Sequence, residues 1–141
     1  MESTKKKKNQ RNFFTFRRYK GFPIVDQPNT DISRLFYIAS TFIENGIKSG
    51  GEAISTRIDE EYLKCFSFLC WLTGKVLVHC KVGMSRSATC VVAHLMISHK
   101  MSADEAIQAV RIHRDIHPNE GFLLQLADLD NKLKNERSNN G

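Results

Sequence analysis

The sequence predicts an α/β fold, and three observations carry that prediction. "KVLVH" at 75–79 is an apolar, β-branched run of strand length that opens directly after Gly74. It passes without an ordinary turn into a helical pattern that starts near Arg86. Further helical segments with their own start signals follow, so a sheet layered with helices is the arrangement that buries both kinds of apolar face. At 141 residues the chain has room for one compact domain.

Taken in order, residues 1–18 read as a basic tail, which is expected to be disordered. Residues 1–20 hold eight Lys/Arg against Glu2, so this stretch accounts for the net charge of +6 and the body of the chain is close to neutral. The tail reads as a solvated extension, with a nuclear-localisation or polyanion-binding role as the alternative. "YKGFPIV" at 19–25 is a short strand weakened by Gly21 and Pro23. The turn-rich "DQPNTD" follows. From Asp31 to Lys48, Leu35, Ile38, Ala39, Phe42 and Ile43 recur at helical spacing until Gly50 and Gly51 stop the helix.

Residues 52–73 have helical propensity, but their second half, "CFSFLCWL" at 65–72, is apolar on nearly every side. "KVLVH" then reads as a buried central strand. Helices are expected at 86–99, 103–115 and 120–134. Ser102 and Glu105 have the spacing of a capping box at the start of the second, and Asn119 is an N-cap for the third. Residues 135–141 are expected to form a disordered C-terminal tail.

Several function classes are excluded at this level. No apolar run approaches the ~20 residues that span a bilayer, and the basic N-terminus lacks the apolar region of a secretory signal. A cytoplasmic location is expected, with the nucleus as a second compartment. Cys65, Cys70, Cys80 and Cys90 form neither a CxxC pair nor a zinc-ligand pattern, so thiols are expected, without disulfides, metal or cofactor. Nucleic acid is not the expected partner.

The chemistry is concentrated at 79–87, "HCKVGMSRS". A helix N-terminus offers unpaired N–H groups and partial positive charge to an anion. The five residues between Cys80 and Arg86 (Lys81, Val82, Gly83, Met84 and Ser85) are enough to loop around a phosphate-sized group with successive N–H groups turned inward. Gly83 admits a backbone conformation closed to most residues. Arg86 brings a fork suited to two phosphate oxygens. Donors that hold phosphate also stabilise a thiolate, so Cys80 is the candidate nucleophile. Ser87 is placed to hydrogen-bond the sulfur and ease its departure, and His79 to brace the loop. A leaving oxygen would need a proton, most usefully from a carboxyl group on a mobile loop. The loop is not a Walker loop, which requires Gly-Lys-Ser/Thr where this chain has Ser-Arg-Ser. A sulfurtransferase reading fits "GMSRS" and the downstream helices poorly.

"VLVHCKVGMSRSAT" resembles the His-Cys-x-x-Gly-x-x-Arg-Ser signature of cysteine-dependent protein tyrosine phosphatases. The continuation "AHLMISHKMSADEAIQAVRIHRDIHPNEGFLLQLADLDNKL" is similar to the atypical dual-specificity phosphatases, with His94 in place of the usual tyrosine. The resemblance implies a phosphatase-type α/β sheet flanked by helices. It implies Cys80 as nucleophile, Arg86 as phosphate clamp, Ser87 as helper in thiolate release and Asn119 as a support behind them. "YKGFPIVDQPNTDISRLF" matches the family's acid loop and sets Asp26 at the acid position, with Asp31 as the fallback.

The resemblance covers 19–51 and 74–134. The family carries further strands and a helix ahead of the acid loop, where this chain has its basic tail, so the sheet is expected to be incomplete on its N-terminal side. It also passes almost directly from the long helix into "VLVHC", so 52–73 reads as an insert: an added helix, a docking element or translated intronic sequence. The insert is expected on the side of the sheet away from the chemistry. The implied activity is hydrolysis of phosphotyrosine, and of phosphoserine or phosphothreonine, in a phosphoprotein substrate through a phosphocysteine. A phospho-binding pseudophosphatase or an inactive product without turnover is the alternative.

Overall fold

The computed structural model describes residues 19–49, 53–55 and 76–139. The tail at 1–18 and most of the 52–73 stretch lie outside them. Strand β1 (Tyr19–Gly21) is followed by an extended loop, a 3-10 turn at Ser33–Leu35 and helix α1 (Phe36–Ser49). Strands β2 (Ala53–Ser55) and β3 (Leu77–His79) come next, then helices α2 (Arg86–Ser98), α3 (Ala103–Arg111) and α4 (Glu120–Asn139). The three strands form a parallel sheet in the order β1-β2-β3. Parallel neighbours need a crossover, which α1 supplies between β1 and β2.

The sheet departs from expectation in two ways. Residues 53–55 are not set apart from the sheet as part of an insert but form its middle strand. Ile54 lies opposite both Lys20 and Val78, so the backbone of β2 serves two neighbours at once. Ser55 pairs with His79, one residue before Cys80. This strand therefore ends at the same edge of the sheet as the 79–87 loop, not on the far side. Second, among the described residues "VLVH" is an edge strand rather than a central one, and its residues are only half-buried.

The helices begin where their caps predict. Ser102 accepts from the N–H of Glu105 at 3.3 Å while its own N–H donates to the Glu105 carboxylate at 2.8 Å. Asn119 Oδ1 accepts from the N–H of Phe122 at 3.0 Å. The ends are less legible. Helix α3 stops at Arg111 instead of 115, as the N–H groups of both His113 and Arg114 turn back to the carbonyl of Val110. Helix α4 runs to Asn139, so the tail expected from 135 is helical through its first five residues. An ion pair at helical spacing, Lys134 with Asp130 at 2.7 Å, supports that length. The Arg137 guanidinium ties it to the Met96 carbonyl of α2 at 3.2 Å.

The core lies where α1, α2 and α4 converge, around the fully buried Phe36, Ala39, Val92, Met96, Ile116, Phe122 and Leu126. Truncating either buried Phe to Ala is worth about 3–5 kcal/mol, a large part of the ~5–15 kcal/mol that holds a domain of this size folded. Ile24 and Ile32 belong to the same core. They lie on either side of Asp26, so the loop between β1 and α1 is anchored at both ends.

His94, on α2, is buried against α1. Its Nδ1 lies 3.1 Å from the Ser40 hydroxyl and 3.2 Å from that of Ser98. Burial lowers its pKa, His99 lowers it further and Glu44 opposes the shift. The unfolded chain therefore binds a proton near pH 6.5 that the folded chain resists. Stability from this site is complete above about pH 6.5 and declines as pH falls from there through the lower folded value. A urea-unfolding midpoint measured across that range should drop on the acid side, and His94→Gln should flatten the drop.

Candidate active site

The loop at 80–85 joins β3 to α2, and its carbonyl groups are held from outside. Arg114 Nε donates to the carbonyl of Gly83 at 3.0 Å, and Nη2 donates to that of Val82 at 3.3 Å. The N–H of His117 donates to the carbonyl of Met84 at 2.9 Å. A planar trans peptide points its N–H opposite its carbonyl. Fixing these three carbonyls outward thus turns the N–H groups of Gly83, Met84 and Ser85 inward. Gly83 has φ +77°, the left-handed region that favours glycine. A Cβ there would also meet the Arg114 guanidinium at 2.5 Å. Nothing in the sequence marks Arg114 for this task; the early end of α3 is what brings it to the loop.

Cys80 sits at the base of the concavity. Its sulfur lies 3.2 Å from the Ser87 hydroxyl and accepts from the N–H of Gly83 at 3.1 Å. Burial pushes the thiol pKa up, but the Ser87 hydroxyl and the N–H groups of Ser87, Gly83 and Val82 together outweigh it, so the net shift is downward. Cys90, fully buried on α2, shows what burial does without such donors: it is pushed up to about 12, with Cys80 adding to the rise. The two thiols differ in their donors, and only at Cys80 is ionisation favoured.

Arg86, the first residue of α2, donates through Nη1 to the carbonyl of Ile24 at 3.0 Å. Its Nε lies 3.6 Å from Asp26 Oδ2. The structure therefore brings Asp26, 54 residues upstream of Cys80 in the chain, to Arg86 at the start of α2. Asp31 is placed elsewhere: its exposed carboxylate accepts from the Ser33 hydroxyl at 2.7 Å, which holds it below the usual carboxylate range and starts the 3-10 turn. His79 closes β3. Lys81 and Val82 form the exposed lip of the loop, Val82 being 63% exposed. A cavity of about 180 Å³ lies beneath this half of the loop, walled by Leu77, Val78, Ala88 and Val91. Cys80, Gly83 and Ser87 also line it, whereas Arg86 and Asp26 do not.

Asp26 is tied down rather than carried on a free loop. Its Oδ1 accepts from the Ser85 hydroxyl at 2.8 Å and from Asn119 Nδ2 at 2.8 Å. Gln125 secures the rest of the loop: Oε1 accepts from the N–H groups of Ile32 and Ser33, both at 2.9 Å, and Nε2 donates to the Thr30 carbonyl at 2.9 Å. The first turn of α4 presses so close to Pro28 that a Cβ on Gly121 would collide with the Pro28 carbonyl. The roles of Gln125 and of the Ser85 side chain were open in the sequence. The one trace of Gln125 is the run "PNEGFLLQL" at 118–126, whose family form "PN.GF..QL" contains Asn119, Gly121 and Gln125 at this spacing.

Comparison with known proteins identifies the family. The family described as "Dual specificity phosphatase, catalytic domain" matches residues 67–132. The match begins at residue 67, within the 52–73 stretch. Dual specificity protein phosphatase 26 from Homo sapiens is 40% identical over 117 residues, covering 83% of this chain and 45% of that protein. Dual specificity protein phosphatase 13B from Homo sapiens is 60% identical over 63 residues, covering 45% of this chain and 32% of that protein. The chain thus spans less than half the length of these relatives. Among solved structures, the human tyrosine phosphatase-like serine/threonine/tyrosine-interacting protein is similar with a TM-score of 0.58 at 31% identity, covering 77% of this chain and 58% of that one. With these matches over the loop and helices just described, the chain belongs to the dual-specificity phosphatases, in the atypical branch of the cysteine-dependent protein tyrosine phosphatase superfamily.

Proposed function

We propose that this protein is a phosphoprotein phosphatase that hydrolyses phosphotyrosine, and phosphoserine or phosphothreonine, through a phosphocysteine. One observation carries the proposal: a thiol lowered in pKa at the base of a loop whose N–H groups face inward, with a guanidinium and a carboxylate closing the other side. The phosphate would sit on the N–H groups of 81–87, clamped by Arg86, with Cys80 in line behind phosphorus. In the first step the Cys80 thiolate attacks phosphorus. The S–P bond forms, the P–O bond to the substrate breaks and the leaving oxygen takes a proton from Asp26. In the second step water attacks phosphorus and returns a proton to Asp26. The P–S bond breaks, inorganic phosphate forms and the Ser87 hydroxyl receives the sulfur as a thiolate.

The unit that does this runs from 19 to the end of α4, with 1–18 as a basic extension. A reducing compartment, cytoplasm or nucleus, suits a chemistry that needs a free thiolate. No helix among the described residues is long and apolar enough to cross a membrane.

Hydrolysis of an aryl phosphate should be abolished by Cys80→Ser and lowered on the order of 10²-fold by Asp26→Asn, within the usual span for general acid catalysis. A covalent phosphate adduct on Cys80 should appear by mass spectrometry after rapid acid quench. Binding of phosphate or phosphopeptide without turnover or adduct would instead establish a phospho-binding module. Alkylation of Cys80 by iodoacetamide followed against pH should have its midpoint below that of an ordinary cysteine. Ser87→Ala should move that midpoint upward.

A further inference from the structure

The hydrogen bonds around Asp26 determine which of its two oxygens can carry the transferable proton. Asn119 has two ends with two tasks. Its Oδ1 accepts from the N–H of Phe122 at 3.0 Å to cap α4, which leaves Nδ2 to face Asp26 Oδ1 at 2.8 Å. The helix cap thereby sets the orientation of the amide: reversed, it would lose the cap and oppose two oxygens. The Ser85 hydroxyl is fixed by the same logic. Its oxygen accepts from the N–H of Asn119 at 3.1 Å, and its hydrogen goes to Asp26 Oδ1 at 2.8 Å.

Oδ1 thus receives two hydrogens, one from each donor. A proton placed there would have to displace one of them. Oδ2 receives neither of these bonds and is the oxygen nearer Arg86, with Nε at 3.6 Å. We propose that Ser85 and Asn119 are positioning residues that reserve Oδ1 of Asp26 as an acceptor and set the transferable proton on Oδ2, on the side of the phosphate clamp. The proposal rests on the reading of Asp26 as the general acid. It also gives "PN.GF..QL" a mechanical sense: the first turns of α4 hold the acid loop by Asn119 at Asp26, by Gly121 under Pro28 and by Gln125 at Thr30, Ile32 and Ser33. Helix α4 registers the acid against the loop that holds the nucleophile.

A cap alone and a positioning role are separable, because Asp is as good an N-cap as Asn. Asn119→Asp keeps the cap, removes the donor and sets a carboxylate against Asp26. Ser85→Ala removes the other donor without adding charge. The readout is kcat/KM, which reports the step that breaks the ester bond, for aryl phosphates whose leaving groups range from good to poor. Good leaving groups need little protonation and poor ones depend on it. Relative to the best leaving group, both variants should lose on the order of tenfold or more with the poorest, while thermal unfolding shows both still folded at the assay temperature. Equal losses across all leaving groups, or no loss in Asn119→Asp, would overturn the proposal. Asp26→Asn serves as the control. If it fails to steepen the leaving-group dependence, the assignment of Asp26 as acid is wrong. If it steepens the dependence and the two other variants do not, only the positioning role is wrong.

Discussion

A loop that is to hold an anion must turn its carbonyl groups away from it, and the rest of this site depends on meeting that constraint. Left to itself, a short loop between a strand and a helix exposes donors and acceptors alike. Here the outward carbonyls of Val82, Gly83 and Met84 are occupied by the Arg114 side chain and the backbone of His117. Once those three are committed, the inward N–H groups have no competing partner from their own peptides. The positive potential at the start of α2 is then open to a thiolate or a phosphate.

The downward shift at Cys80 follows from that arrangement rather than from the sulfur's exposure. The thiol is half-buried, which on its own opposes ionisation, as Cys90 within α2 demonstrates. The difference lies in the donors, and these depend in turn on groups 31 to 34 residues downstream of the loop residues they hold. The segment from the end of α3 to the first turn of α4 is therefore a frame for the site. Arg114 and His117 orient the loop, Asn119 reaches both Ser85 and Asp26, and Gln125 closes the loop between β1 and α1 onto the helix.

The buried anchors explain why a loop so rich in turn residues holds a single position. Ile24 and Ile32 are in the core on either side of Asp26, so the carboxylate is displayed on a short span between two fixed points. Arg86 binds the same span through the Ile24 carbonyl. The guanidinium that would clamp phosphate thereby also sets the distance to the Asp26 carboxylate, which couples the two halves of the site before any substrate arrives.

Beyond what the family resemblance implied for Asp26, the sequence by itself determined the local elements: the strand–loop–helix junction with Cys80, Gly83, Arg86 and Ser87 in place, the capping box at Ser102 and the cap at Asn119. These are legible because they depend on spacing, on caps and on left-handed backbone, all of which act within a few residues. Only the tertiary structure decided the strand order, the entry of 53–55 into the middle of the sheet, the early stop of α3 and the long run of α4. It also decided what Arg114, Gln125 and the Ser85 hydroxyl touch. Those outcomes are set by hydrogen bonds across 31 to 95 residues of chain, such as Arg114 to Gly83 and Gln125 to Thr30. No local pattern encodes a partner that far away; the partner is selected when the core closes around Phe36, Met96 and Phe122 and brings the two segments together.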